Sequence, residues 1–133
     1  MSTLLLEIVT PERKVYAQEV DMVVVNGVEG QLGILPNHIP LVTPLKIAPV
    51  KVKKGNTEEV IAVSGGFVEI RKDKVVILAE SAELPANIDI ERARAAKERA
   101  EQRLNAKRDD VDHRRAEMAL QRAMNRLDIA SSK

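Results

Sequence analysis

Val, Ile and Leu come in short bursts along the first two thirds of the chain and in a helical stripe along the last third. The bursts fall around Leu4–Val9, Val20–Val25, Gln31–Leu35, Leu45–Val52, Val60–Val63, Phe67–Ile70 and Val75–Leu78. Between them stand Thr10-Pro11-Glu12, Asn26-Gly27, Pro36-Asn37-His38, Lys54-Gly55-Asn56, Gly65-Gly66 and Lys72-Asp73-Lys74. Gly and Asn accept positive φ, and Pro presets φ for a turn, so each break reads as a turn. Short strands at this spacing predict an all-β sandwich or flattened barrel. Val60–Val63 and Phe67–Ile70 are expected to pair as a hairpin about Ser64-Gly65-Gly66, with Phe67 in the core. Lys72-Asp73-Lys74 turns the chain into the last strand.

The pattern changes at Leu84-Pro85. From Ala86 to Lys133 there is neither Gly nor Pro, and Ala, Arg, Glu, Lys and Gln dominate. The fold class expected is therefore α+β. A β-sandwich domain, 1–84, precedes an antiparallel two-helix hairpin, 85–133. Asn87 or Asp89 can cap the first helix, with Glu91 in its first turn. Asn105 to Arg108 break the apolar pattern, the chain turns near Lys107, and Asp109-Asp110 caps the second helix. Arg94–Glu98, Lys97–Glu101 and Asp110–Arg114 sit at a spacing that supports exposed helices.

The first helix carries the stripe Ala93, Ala96, Ala100, Leu104. The second carries Ala116, Leu120, Ala123, Leu127, with Met124 beside it. Small residues let helices approach closely but bury little. An alanine methyl contributes roughly 0.8 kcal/mol, whereas ordering one residue costs roughly 1–2 kcal/mol. Such a hairpin is marginal alone and must dock on something. Without Gly or Pro at its turn it can straighten into one long helix. It is a candidate two-state element, folded or extended.

Composition removes several function classes. The net charge is +1 and the aromatics are Phe67 and Tyr16 alone. A dedicated nucleic-acid binder usually has a basic excess and stacking platforms. No cysteine is present, so disulfides and thiolate metal sites are excluded. No signal peptide or membrane-spanning run is expected. The Gly-x-x-x-x-Gly-Lys-Ser/Thr loop of ATP hydrolysis does not occur. Ala62 stands where a nucleophile elbow around Ser64 needs Gly. His38 and His113 lie in different segments, too few for a metal cluster or a triad. The chain is read as a non-catalytic subunit.

Two stretches carry a family resemblance. Gly30 to Leu45 reads Gly-Gln-Leu-Gly-Ile-Leu-Pro-Asn-His-Ile-Pro-Leu-Val-Thr-Pro-Leu, and Ser64 to Ile70 reads Ser-Gly-Gly-Phe-Val-Glu-Ile. With the sandwich-then-hairpin order they resemble the epsilon subunit of the F-type ATP synthase, and the Arg114 to Leu127 segment resembles its Bacillus-type version. The resemblance implies a rotor-stalk subunit that couples proton transport to ATP synthesis. It also implies a peripheral position on the cytoplasmic face of the cell membrane. The sandwich would bind the gamma subunit and the c ring, with Glu29, Gln31 and His38 as contact candidates on the Gly30–Pro40 surface. The extended hairpin would reach the alpha/beta catalytic head, meet an acidic segment of a beta subunit, and inhibit ATP hydrolysis.

Ile88-Asp89-Ile90-Glu91-Arg92-Ala93 further resembles the Ile-Asp-x-x-Arg-Ala pattern with which bacillar relatives bind ATP without hydrolysing it. By that resemblance Glu83, Ile88, Asp89, Arg92, Ala93, Arg99, Arg122 and Arg126 form a regulatory ATP site, and magnesium could accompany the nucleotide. Spacing agrees with the grouping. Asp89, Arg92 and Arg99 share a helix face, and Arg122 and Arg126 are one turn apart. A folded antiparallel hairpin brings the two sets together. A polyphosphate relieves the repulsion between the arginines and offers oxygens to their forked donors. Glu83 or Asp89 could accept a hydrogen bond from the adenine amine. The alternative reading is a free-standing module whose basic helices grip RNA or an acidic protein.

Overall fold

A computed structural model describes residues 3–105 and 113–131, the last by its backbone only. The chain divides into two compact units, Met1–Leu84 and Pro85–Lys133. The first is all β. Its strands are β1 (Leu4–Val9), β2 (Lys14–Val20), β3 (Met22–Gly27), β4 (Gly30–Ile34), β5 (Leu41–Lys54), β6 (Thr57–Ile70), β7 (Lys74–Ala79) and β8 (Ala82–Glu83). They form one sheet in the order β2-β1-β7-β6-β5-β3-β4, with β8 also on β6.

The sheet becomes a sandwich because β5 and β6 run through both layers. Residues 41–45 of β5 pair with 66–70 of β6 beside β7, while 47–54 pair with 57–64 beside β3. Period two then selects the core. Leu4, Leu6 and Ile8 of β1, Val23 and Val25 of β3, and Val75 and Ile77 of β7 point inward and are buried. Between Val24 and Gly27 the β3–β5 register slips, and the Asn26 side-chain amide donates to the Pro49 carbonyl at 3.1 Å across the gap.

Four expectations change. Ser64-Gly65-Gly66 is no turn but the interior of β6, and Val60–Ile70 is one strand. Gly65 and Gly66 have φ of 78° and 117°. A Cβ on Gly66 would collide with the Leu78 carbonyl oxygen and lie 2.9 Å from the Ala79 Cα. Glycine is there so that β6 can bend while staying against β7. Asn26-Gly27 likewise ends β3, and the chain turns one step later at Val28-Glu29. Lys14–Val20 is a full strand that the apolar bursts missed. As an edge strand it buries only Tyr16 and Val20. Phe67 is 52% exposed, since the alternation that buries Val68 and Ile70 turns it outward.

Two titratable groups are perturbed in this unit. Lys74 and Lys14 hold Glu7 at 2.9 and 3.2 Å, and their hydrogen bonds, Lys74's first, keep its carboxyl below the usual range. Burial and then the charge of Glu59 push Tyr16 up to about 12. The Tyr16 hydroxyl is buried and has no hydrogen-bond partner among the described residues.

The second unit is a turn of 3-10 helix at Pro85–Asn87, then α1 (Ile90–Asn105) and α2 (His113–Ser131), packed as an antiparallel pair. Asp89 is the cap: its Oδ1 accepts from the Arg92 backbone N–H at 3.0 Å, and its carbonyl from Ala93 N–H at 3.0 Å. The expected stripes face inward. Ala93, Ala100, Ala116 and Ala123 are buried, and Ala96, Leu104, Leu120 and Leu127 are half-buried. Arg94 pairs with Glu91 at 3.0 Å. The expected pairs Arg94–Glu98 and Lys97–Glu101 are not formed among the described residues; Arg94 takes Glu91, three residues back and so nearer along the helix, instead of Glu98. The turn near Lys107, the Asp109-Asp110 cap and the Asp110–Arg114 pair lie outside the described residues.

Candidate functional site

Seven of the eight expected nucleotide residues belong to the helical unit, and Glu83 belongs to β8 of the sheet unit. Within the helical unit, Ile88 and Ala93 are buried and Asp89, Arg92 and Arg99 are exposed. Arg122 and Arg126 are half-buried on α2. α2 contacts both α1 and the 3-10 turn that precedes it. The start of the helical unit and α2 are thus held together, as the spacing requires.

The donor set suits a polyphosphate. Among the described residues, Arg92, Arg99 and Arg122 have no ion-pair partner, so no described carboxylate neutralises their guanidinium groups. Arg126 does engage another group. Asp89 is committed through Oδ1 to the helix cap, which fixes where the first N–H groups of α1 point. No group of three or more His, Asp or Glu side chains capable of holding a metal is found among the described residues. Glu83 lines a cleft of about 250 Å3 inside the sheet unit, where β1 turns away at Thr10-Pro11 and leaves the chain from Glu80 to Glu83 uncovered on that side.

The second candidate is one end of the sheet unit. His38 lies in the loop after Pro36-Asn37, half-buried, with Nδ1 2.7 Å from the Ile39 carbonyl oxygen. Asn37, at φ 67°, donates its N–H to the Lys72 carbonyl at 2.8 Å and so ties this loop to the β6–β7 turn. Glu29 and Gln31, both exposed, lie at the β3–β4 turn, which is pinned by the Val28 N–H to the Pro44 carbonyl at 3.1 Å. The same elements expose apolar side chains. Ile39 is 79% exposed and Val42 64%, and Leu35, Leu41 and Val28 are exposed with them. Phe67 adjoins them, opposite Pro44 on β5 and Leu78 on β7. An apolar cluster with charges at its margin is the anatomy of a docking surface. The sequence held one unused sign of it: Ile39-Pro40-Leu41-Val42 is apolar where a connecting loop is usually polar. Sequence reasoning also missed Asn125 and Ile129, which are buried on α2 away from the alanine stripe.

Comparison with known proteins gives a consistent result. Residues 3–85 match the family described as ATP synthase, Delta/Epsilon chain, beta-sandwich domain, and residues 86–131 match its long alpha-helix domain. The ATP synthase epsilon chain of Halalkalibacterium halodurans is 62% identical over 131 residues, covering 98% of each chain. That of Alkalihalophilus pseudofirmus is 66% identical over 130 residues, covering 97% of this chain and 98% of the other. A chain of the Euglena gracilis mitochondrial ATP synthase shares the fold, with a TM-score of 0.82 at 22% identity over 98% of this chain and 82% of that one.

Proposed function

This chain belongs to the epsilon-chain family of the F-type ATP synthase, whose members are non-catalytic subunits of that complex, and we propose how it acts there. The sheet unit is the fixed part. Its apolar end, Leu35 to Val42 with Val28 and Phe67, docks on the gamma subunit and the c ring, and Glu29, Gln31 and His38 form the polar margin. The helical unit is the movable part. Folded, it binds ATP through Asp89, Arg92, Arg99, Arg122 and Arg126. Extended, its arginine-rich faces reach the alpha/beta head and slow ATP hydrolysis. The subunit is peripheral, on the cytoplasmic face of the membrane. No helix among the described residues is long and apolar enough to cross one.

The observation that carries this reading is the makeup of the helical interface. Its fully buried stripe residues are all alanines, so few apolar atoms leave water when the pair closes. A ligand that binds only the closed form can then decide the balance, by an amount set by its differential affinity.

Deletion of Ala86 to Lys133 tests it. ATP hydrolysis by the assembled enzyme should rise severalfold while the truncated subunit still assembles. Unchanged hydrolysis would mean that the helical unit is not an inhibitor.

A further inference from the structure

The alanine stripe is not the only periodic set on α2. Arg122, Asn125, Arg126 and Ile129 stand at i, i+3, i+4 and i+7 and share a side of the helix. On α1, Arg92, Ala95 and Arg99 stand in the same angular relation to their own stripe. Two antiparallel helices joined through their stripes are related by a twofold axis across the pair, so both sets fall on one side of it. That side carries the arginines assigned above to the phosphates.

Asn125 is the exception there. It is only 9% exposed and is the one buried polar side chain of the described helices. Its Nδ2 is buried and has no hydrogen-bond partner among the described residues. Buried amide donors are rarely left unpaired, because the lost contact with water is not replaced. Ile129, one turn further along the same side, is buried and apolar.

We propose that Asn125 reads the base of the bound nucleotide and makes the site selective for adenine. This rests on the nucleotide reading given above. The carboxamide edge matches the N7 edge of adenine: Oδ1 accepts from the exocyclic amine while Nδ2 donates to N7. Ile129 supplies an apolar contact for the ring, and Arg122 and Arg126, on either side of Asn125, lead toward the phosphates. Guanine presents a carbonyl oxygen where adenine presents its amine. Beside N7 that makes two acceptors on one edge, so the amide can form only one hydrogen bond to guanine in either orientation. The adenine amine has a second hydrogen, so another carboxylate of the site can still accept from it.

Calorimetric titration of the full chain with ATP, GTP and inorganic tripolyphosphate tests the proposal, using the native chain, Asn125→Ala and Asn125→Asp. The native chain should prefer ATP to GTP. In Asn125→Ala, ATP affinity should fall about tenfold and the ATP/GTP ratio should collapse, with tripolyphosphate binding held. Asn125→Asp keeps the side-chain shape but cannot donate. Its carboxylate suits the two N–H groups of guanine, so the ratio should fall further. A ratio unchanged in both variants overturns the proposal, as does a parallel fall for all three ligands, which would assign Asn125 to helix packing. If the native chain binds none of the three, the nucleotide site itself is wrong, and that outcome is distinct from the others.

Discussion

The sheet unit buries leucine, isoleucine and valine, whereas the helical unit buries mostly alanine. The sheet side chains come from strands far apart in sequence, and β1, β3, β5, β6 and β7 all contribute to one core. Losing any of them costs the whole. The helical unit rests on two local elements and a narrow seam. Its stability is set by caps, helix propensity and whatever binds it. The lesson is that two units of one chain can be held with unequal firmness when apolar volume is distributed unequally between them. Substitutions in the two units should therefore differ in size and reach, and four of them rank accordingly.

Gly66→Val should have the largest effect. It forces a β-branched side chain into positive φ and into the Leu78 carbonyl. Loss of about 4 kcal/mol is expected, and thermal unfolding would show the sheet transition at much lower temperature or absent. Ile77→Ala comes next. It empties a fully buried position and should cost about 3 kcal/mol, lowering the denaturant midpoint of the sheet while α1 and α2 melt as before. If both units weakened together, the division into independent parts would be wrong.

Asp89→Ala removes the cap of α1 and should cost about 1 kcal/mol, read as a loss of helical circular dichroism with the sheet unchanged. At neutral pH the smallest effect is at Tyr16, whose contribution changes only in alkali. Tyr16 ionises near 10 when unfolded and only near 12 when folded. Its contribution is complete below the unfolded value and disappears as pH rises through the folded one. Stability of the sheet should decline over that interval, and Tyr16→Phe should remove the decline without weakening the fold at neutral pH.

Much of this contrast was legible in the sequence, and its gaps have physical causes. The change at Leu84-Pro85 from bursts to stripes is visible because period two and period 3.6 are different signals. The Asp89 cap and both alanine stripes follow from the same local rules. The course of β6 does not. Two consecutive glycines say only that unusual φ is needed, and whether the chain reverses or bends is decided by β7 across the ladder. Lys14–Val20 was hidden because an edge strand with one wet face carries few apolar residues. Phe67 was misassigned by residue type although its parity with Val68 and Ile70 places it outside. In the candidate site, Arg92, Arg99, Arg122 and Arg126 are proposed from the family resemblance, with which their spacing agrees. Asn125 was not legible, because an amide two positions from a stripe looks solvated until its burial is seen.

Amide hydrogen exchange on the full chain, with and without ATP, tests the central claim most directly. The amides of β1, β3, β6 and β7 should exchange slowly in both conditions. Those of α1 and α2 should exchange far faster without ATP and slow markedly when it is added. Equal protection of helices and sheet core, indifferent to nucleotide, would contradict the account.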